Sequence, residues 1–277
     1  MPDHPGQRPA EAVSGPTLHA VERGSGPRLV LLHGVAGSHM VWDEISPELE
    51  PHFTLTSVDL LGYGHSPKPR TTYTPAAHVE TIRRTLQKAG IEPPHVFVGL
   101  SMGSNLMLEF ARRWPAEVSG LIGIGFPYYS SEPEARKALA HNMWIRLTLR
   151  HPIVAAIVTP VTWGIGRHVA GLFGGNSALY SRPVAADALR ARYGAFKSSL
   201  FNCMVHFRQD DVLEASAGVR RLFIHGNDDQ WAASEVIEAR LAGYPRTAVH
   251  VIDGPHNLVV AQPKLTAQLI TEHVGAR

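Results

Sequence analysis

Cysteine is nearly absent: Cys203 is the only one in 277 residues. A single thiol closes no intramolecular disulfide and supplies no cysteine-based metal site, and it suits a reducing, cytoplasmic compartment. Charge of either sign is also scarce. The formal net charge is +2, and the pairs Arg83-Arg84, Arg112-Arg113 and Arg220-Arg221 are scattered, so no basic stripe is offered to nucleic acid. None of the sixteen histidines falls in a His-Glu-x-x-His arrangement, and neither a metal nor a cofactor is expected. Residues 152–166 carry no charge, yet they fall short of the roughly 20 apolar residues of a membrane-spanning helix and contain Pro160, Gly164 and Gly166. Residues 1–16 are rich in proline, glycine and charge and lack the apolar core of a signal peptide, so they read as a loose tail.

What is present suits one large α/β domain over residues 17–277, at 44% hydrophobic and 18% charged. Its centre is His95-Val96-Phe97-Val98-Gly99-Leu100-Ser101-Met102-Gly103, an apolar run that ends in Gly-x-Ser-x-Gly and enters a helical pattern through Met102, Leu106 and Phe110. A serine hydroxyl is a poor nucleophile until a base removes its proton, so it must stand clear of the backbone. Gly99 and Gly103, having no β-carbon, let strand and helix close around a sharp turn whose apex carries Ser101.

The same alternation runs along the chain. Arg28–Leu32 is an apolar strand ending in the Gly-rich turn His33–Ser38, which has no Gly-Lys-Ser/Thr and so does not cradle phosphate. Phe53–Val58 is the next strand. Thr74 and Pro75 then open a helix with Val79, Ile82 and Leu86 on one face, and Gly90 stops it. Leu121–Ile124 is a strand, as are Arg221–Gly226 and Val249–Ile252, and helices follow over Ser234–Leu241 and around Leu265, Leu269 and Ile270. Strand and helix in turn predict a mostly parallel sheet covered on both faces. Between about residues 127 and 202 the rhythm breaks into helical patterns over 135–149, 154–172 and 185–200, an inserted helical cap. The apolar residues of 152–166, Trp163 among them, are expected to cover an apolar pocket.

Ser101, Asp229 and His256 stand at the carboxyl ends of three of these strands. Asp229 follows the serine by 128 positions, and His256 follows Asp229 by 27. Strand ends of a parallel sheet share one edge, so a nucleophile, a base and an orienting carboxylate can meet there. Asp228 is the rival acid. His33 and Asp59 read as residues that organise turns beneath the site, and His250 as a strand residue. Trp42, Trp163, Ser104 and Asn105 are candidates for substrate contact, although core packing accounts for Trp42 equally well.

Taken with His33-Gly34-x-x-Gly37-Ser38, Asp59-x-x-Gly62-x-Gly64-x-Ser66, Gly226-Asn227-Asp228-Asp229 and Gly254-x-His256, the serine turn resembles the α/β-hydrolase fold family from about residue 17 onward. The resemblance implies that Ser101 attacks a carbonyl, His256 takes its proton and Asp229 orients the imidazole. The backbone N–H groups of Val35 and Met102 would form the oxyanion hole. It implies hydrolysis of a small-molecule carboxylic ester, lactone or thioester, and the uncharged 152–166 segment adds the expectation of an apolar acyl or alcohol portion. Relatives that open epoxides or displace halide carry Asp at the nucleophile, and carbon–carbon bond hydrolases usually carry an extra glycine in the loop that reads His33-Gly34-Val35-Ala36-Gly37 here. Those carbon–carbon hydrolases and the cofactor-free perhydrolases remain alternatives, as does a slow-turnover ligand receptor on the same scaffold.

Overall fold

Seven strands form one sheet in the order β1-β3-β2-β4-β5-β6-β7 in a computed structural model that describes residues 15–173, 187 and 189–275. They are β1 (Ala20–Gly24), β2 (Arg28–Leu32), β3 (Thr54–Val58), β4 (His95–Leu100), β5 (Val118–Ile124), β6 (Arg220–Gly226) and β7 (Thr247–Ile252). All neighbours are parallel except β1, which pairs antiparallel with β3. The sequence pattern does not reveal β1. Its Ala-Val-Glu-Arg-Gly lies at the sheet edge and is mostly exposed, so it needs no apolar run.

The alternation inside each central strand explains the two-sided covering. Val30, Leu32, Phe97, Leu121 and Phe223 enter one apolar cluster with Val79, Ile82, Leu106 and Phe110. Their neighbours Leu29, Leu31, Val96, Val98, Ile122 and Ile224 enter a second, with Trp42, Ile45, Val259 and Ile270. A strand buried on both faces is apolar at every position, which is what the runs display.

The helices are α1 (Ser46–Leu49), α2 (Pro75–Lys88), α3 (Met102–Arg113), α4 (Glu132–Leu139), α5 (Met143–Arg150), α6 (Pro152–Phe173), α7 (Tyr193–Leu200), α8 (Gln209–Ala215), α9 (Ser234–Leu241), α10 (Leu258–Ala261) and α11 (Pro263–Gly275). Thr74 caps α2 by accepting the Ala77 N–H at 3.1 Å, with Pro75 at the first helical position.

Between β5 and β6 the described residues hold helices and no strand. The expected helix over 135–149 is two helices, because the Asn142 side chain accepts the N–H groups of Trp144 and Ile145 and starts α5 afresh. Of the expected helix over 185–200, Tyr193–Leu200 is helical and so is Asp187, with a turn at 189–190 between them; residues 185, 186 and 188 lie outside the described residues, as does the tail over 1–14.

In α6 the apolar residues point the other way from the expectation. Ile153 is 78% exposed, Ile157 67%, Val161 58% and Ile165 59%, whereas Ala155, Thr159 and Trp163 face inward. An uncharged segment is apolar all round, and its pattern cannot choose the buried stripe. The stripe that packs has two small residues, which bring the helix close, and Trp163, whose ring meets Phe196 edge-on at 5.3 Å. No helix of the described residues is long and apolar enough to cross a membrane.

Candidate active site

Strand register puts the loops of interest on one edge. Leu32 pairs with Gly99, Gly99 with Gly123, Ile124 with Ile224, and Gly226 with Ile252, so the residues that follow β2, β4, β5, β6 and β7 emerge side by side. The chain reverses its direction of travel across the sheet between β2 and β4, where doubly wound sheets open a crevice.

Ser101 sits at that crevice with φ 52° and ψ −117°, a left-handed conformation that a residue with a β-carbon adopts at a cost. Its N–H donates to the Ile124 carbonyl at 2.9 Å, and its own carbonyl accepts the Ser104 N–H at 2.8 Å. Gly99 and Gly103 are required by contact. A β-carbon on Gly99 would lie 2.4 Å from the Gly103 carbonyl carbon, and one on Gly103 would lie 2.1 Å from the Leu32 oxygen. The turn is thus clamped from both sides, with Ser101 at its apex and the first N–H of α3, that of Met102, beside it.

The acidic partner is resolved between two neighbours. Asp229 Oδ2 accepts from His256 Nδ1 at 2.7 Å, and its Oδ1 accepts the N–H groups of Trp231 at 2.8 Å and Ala232 at 3.2 Å. Asp228 is exposed. Burial works to raise the Asp229 carboxyl, but the charge and hydrogen bond of His256 and the Trp231 N–H outweigh it and hold the group below its ordinary range. With Nδ1 donating to that carboxylate, Nε2 is the basic nitrogen.

The imidazole of His256 lies over the end of β5, where a β-carbon on Gly125 would meet Nδ1 and Cε1 at 3.0 Å. Ser101 is tied to the preceding residue of the same strand end. Ser101 Oγ and His256 Nε2 are both buried, and neither makes a hydrogen bond. The expected trio is therefore joined at its Asp229–His256 half, while Ser101 stands at the adjoining strand end without a hydrogen bond to the imidazole. The loop carrying Val35 also closes on the serine, since a β-carbon on Gly34 would lie 3.2 Å from Ser101 Cβ.

The other candidates fall elsewhere. Trp42 is 1% exposed in the second core cluster, and Trp163 packs on Phe196. The Ser104 hydroxyl donates to the Gly99 carbonyl at 2.7 Å, and Asn105 Nδ2 donates to the Cys203 carbonyl at 2.9 Å while its buried Oδ1 makes no hydrogen bond. His33 Nε2 accepts the Leu60 N–H at 2.9 Å, and Asp59 accepts the N–H groups of His39 and His65, which makes both of them organisers of turns. His250 is exposed on β7.

Three residues at this edge escaped the sequence reading. The Trp231 ring lies 4.8 Å from that of His256, and the Tyr129 hydroxyl donates to the Trp231 carbonyl at 3.0 Å. His225 is fully buried with neither ring nitrogen hydrogen-bonded, and desolvation pushes its pKa down to about 4. Its only signal in sequence is an ionisable residue within the otherwise apolar end of β6.

Comparison with known proteins bears on the family and the fold. The family described as alpha/beta hydrolase fold matches residues 27–260. An uncharacterized protein of Mycobacterium tuberculosis is 36% identical over 125 residues, covering 42% of this chain and 36% of that protein. Pimeloyl-[acyl-carrier protein] methyl ester esterase of Vibrio vulnificus is 36% identical over 120 residues, covering 43% of this chain and 45% of that enzyme. The chain thus spans less than half the length of these curated relatives. Among solved structures, a thermophilic esterase from Thermogutta terrifontis superposes with a TM-score of 0.70 at 23% identity, over 94% of this chain and 93% of that one.

Proposed function

Because the chain belongs to the alpha/beta hydrolase fold family, we propose that it is a serine hydrolase that cleaves a carboxylic ester, lactone or thioester through an acyl-enzyme at Ser101. The observation that carries the reading is the pairing of a strained serine, at the apex of a clamped strand-to-helix turn, with a buried His256–Asp229 hydrogen bond on the same sheet edge. In the reaction the Ser101 oxygen attacks the carbonyl carbon as His256 Nε2 takes its proton. The negative charge that moves to the carbonyl oxygen is met by the N–H groups of Met102 and Val35. Collapse of the tetrahedral species expels the alkoxide or thiolate, which receives the proton from Nε2. Water then enters, gives its proton to Nε2 and attacks the acyl carbon, and return of that proton to Ser101 frees the acid.

Asp229 remains ionised throughout and stabilises the imidazolium. The Trp231 ring beside His256 offers an apolar wall where the leaving group is protonated, which supports an apolar alcohol or thiol portion. The outward face of α6 supplies no such support.

A fluorophosphonate probe tests the reading: it is expected to label the wild type and not Ser101→Ala, and p-nitrophenyl esters are expected to turn over in the wild type alone. Labelling without turnover on an ester panel would favour a receptor, and an unlabelled wild type would end the hydrolase reading.

A further inference from the structure

At the β3 end of the sheet edge, four side chains with metal-binding chemistry converge from three separate segments. His19 precedes β1, His39 follows the loop that carries Val35, Asp59 follows β3, and His65 lies in the turn beyond it. One ligand atom from each lies within 4.8 Å of every other. We propose that His19, His39, Asp59 and His65 form a binding site for a divalent first-row transition ion, zinc in the first instance. The site does not depend on the hydrolytic reading.

The backbone frame is already built. Asp59 donates its N–H to the His19 carbonyl at 2.9 Å, and the His19 N–H donates to Ser66 Oγ at 2.8 Å. Ser66 Oγ donates to the Asp59 carbonyl at 2.6 Å. The carboxylate receives the N–H of His39 at 2.7 Å and that of His65 at 2.8 Å. All four ligand backbones are therefore held by hydrogen bonds to one another or to a shared neighbour, so an ion orders only side-chain torsions.

Spacing fits as well. Tetrahedral zinc with bonds of about 2.0–2.1 Å needs ligand atoms about 3.3 Å apart. His39 Nδ1 is 3.0 Å from Asp59 Oδ1, which matches that tetrahedral edge, while His65 Nδ1 is 3.6 Å from the other oxygen, Oδ2, so only one of these contacts is an edge of a site with a single Asp59 donor atom. The wider separations, up to 4.8 Å, close by rotation of His19 and of the 45% exposed His65. Ring centroids of the three imidazoles are 5.1, 5.3 and 5.9 Å apart, which leaves them around a common centre. Turn organisation accounts for Asp59 alone. It gives no reason for three imidazoles to gather about the same carboxylate, whereas three nitrogens and one oxygen are a donor set that zinc prefers over magnesium or calcium.

Such an ion would tie the start of β1 and the turn after β3 to the loop that ends at Ser38, stabilising the fold at that corner. The test uses the untagged full-length protein freed of metal by a chelator, then titrated with Zn²⁺ by calorimetry and with Co²⁺ by its visible absorption. One equivalent is expected to bind and to raise Tm. The His19→Ala/His65→Ala double variant is expected to bind at least ~10-fold more weakly, since loss of even an outer-shell partner is worth that much. In chelator it should keep its Tm within about 2 °C of the wild type, because both side chains are partly exposed. His52→Ala, at an exposed imidazole elsewhere, is expected to bind as the wild type does. Absence of a Tm shift at about 100 μM zinc, where any Kd below ~10 μM is visible, would overturn the proposal. Binding that survives the double variant and is lost in His256→Ala would overturn it too, by moving the ion to the Asp229–His256 pair.

Discussion

At Ser101 one backbone conformation makes two demands on the chain. The positive φ lifts the hydroxyl off the strand, and it brings β4, α3 and β2 so close that neither flanking glycine tolerates a methyl group. Gly103→Ala is therefore expected to destabilise the protein by about 3 kcal/mol or more, because the added carbon meets the Leu32 carbonyl in a close-packed core rather than a movable side chain. A urea titration reads this directly. Asp229→Asn separates orientation from nucleophilicity: the amide keeps the two backbone hydrogen bonds but can donate to Nδ1 and so favours the wrong tautomer of His256. Its kcat on an ester is expected to fall by about 10⁴-fold with the fold intact by circular dichroism. A fall of less than tenfold would remove Asp229 from the proposed mechanism.

Among the elements, α6 sets the clearest contrast between the two sides of one helix. Its inner stripe of Ala155, Thr159 and Trp163 packs, whereas Ile153, Ile157, Val161 and Ile165 meet solvent. Ile157→Lys is expected to change unfolding free energy by no more than about 0.5 kcal/mol. Trp163→Ala empties a buried aromatic site and is expected to cost about 3 kcal/mol. The reverse order in thermal or urea unfolding would show the helix rotated, with its large apolar residues inward as their hydropathy alone suggests.

For the whole molecule, buried imidazoles govern the response to acid. Desolvation holds His225 down to about 4 and His78 down to about 3, against about 6.5 for an exposed histidine. Between those values the unfolded chain binds protons that the folded chain does not, so stability rises with pH and is lost as pH falls from about 6.5 toward 4. Each such imidazole contributes about a tenfold change in the folding equilibrium per pH unit. His39 works in the opposite sense, since its hydrogen bond to Asp59 raises its pKa and favours the protonated folded form. The urea midpoint is expected to fall between pH 7 and pH 4.5, and the fall is expected to be shallower in His225→Phe.

The central strands and the serine turn were legible from local pattern, because strands buried on both faces must be apolar and a strained turn must carry glycine. The edge strand β1 was not, since pairing on one side imposes no such composition. Neither was the break at Asn142, where a side-chain oxygen competes with the helix for the same N–H groups. Which acid of the Asp228-Asp229 pair holds His256, which stripe of α6 faces inward, and the gathering of His19, His39 and His65 about Asp59 depend on segments far apart in the chain. Those arrangements exist only once the sheet register has set the segments side by side, and no local periodicity encodes them.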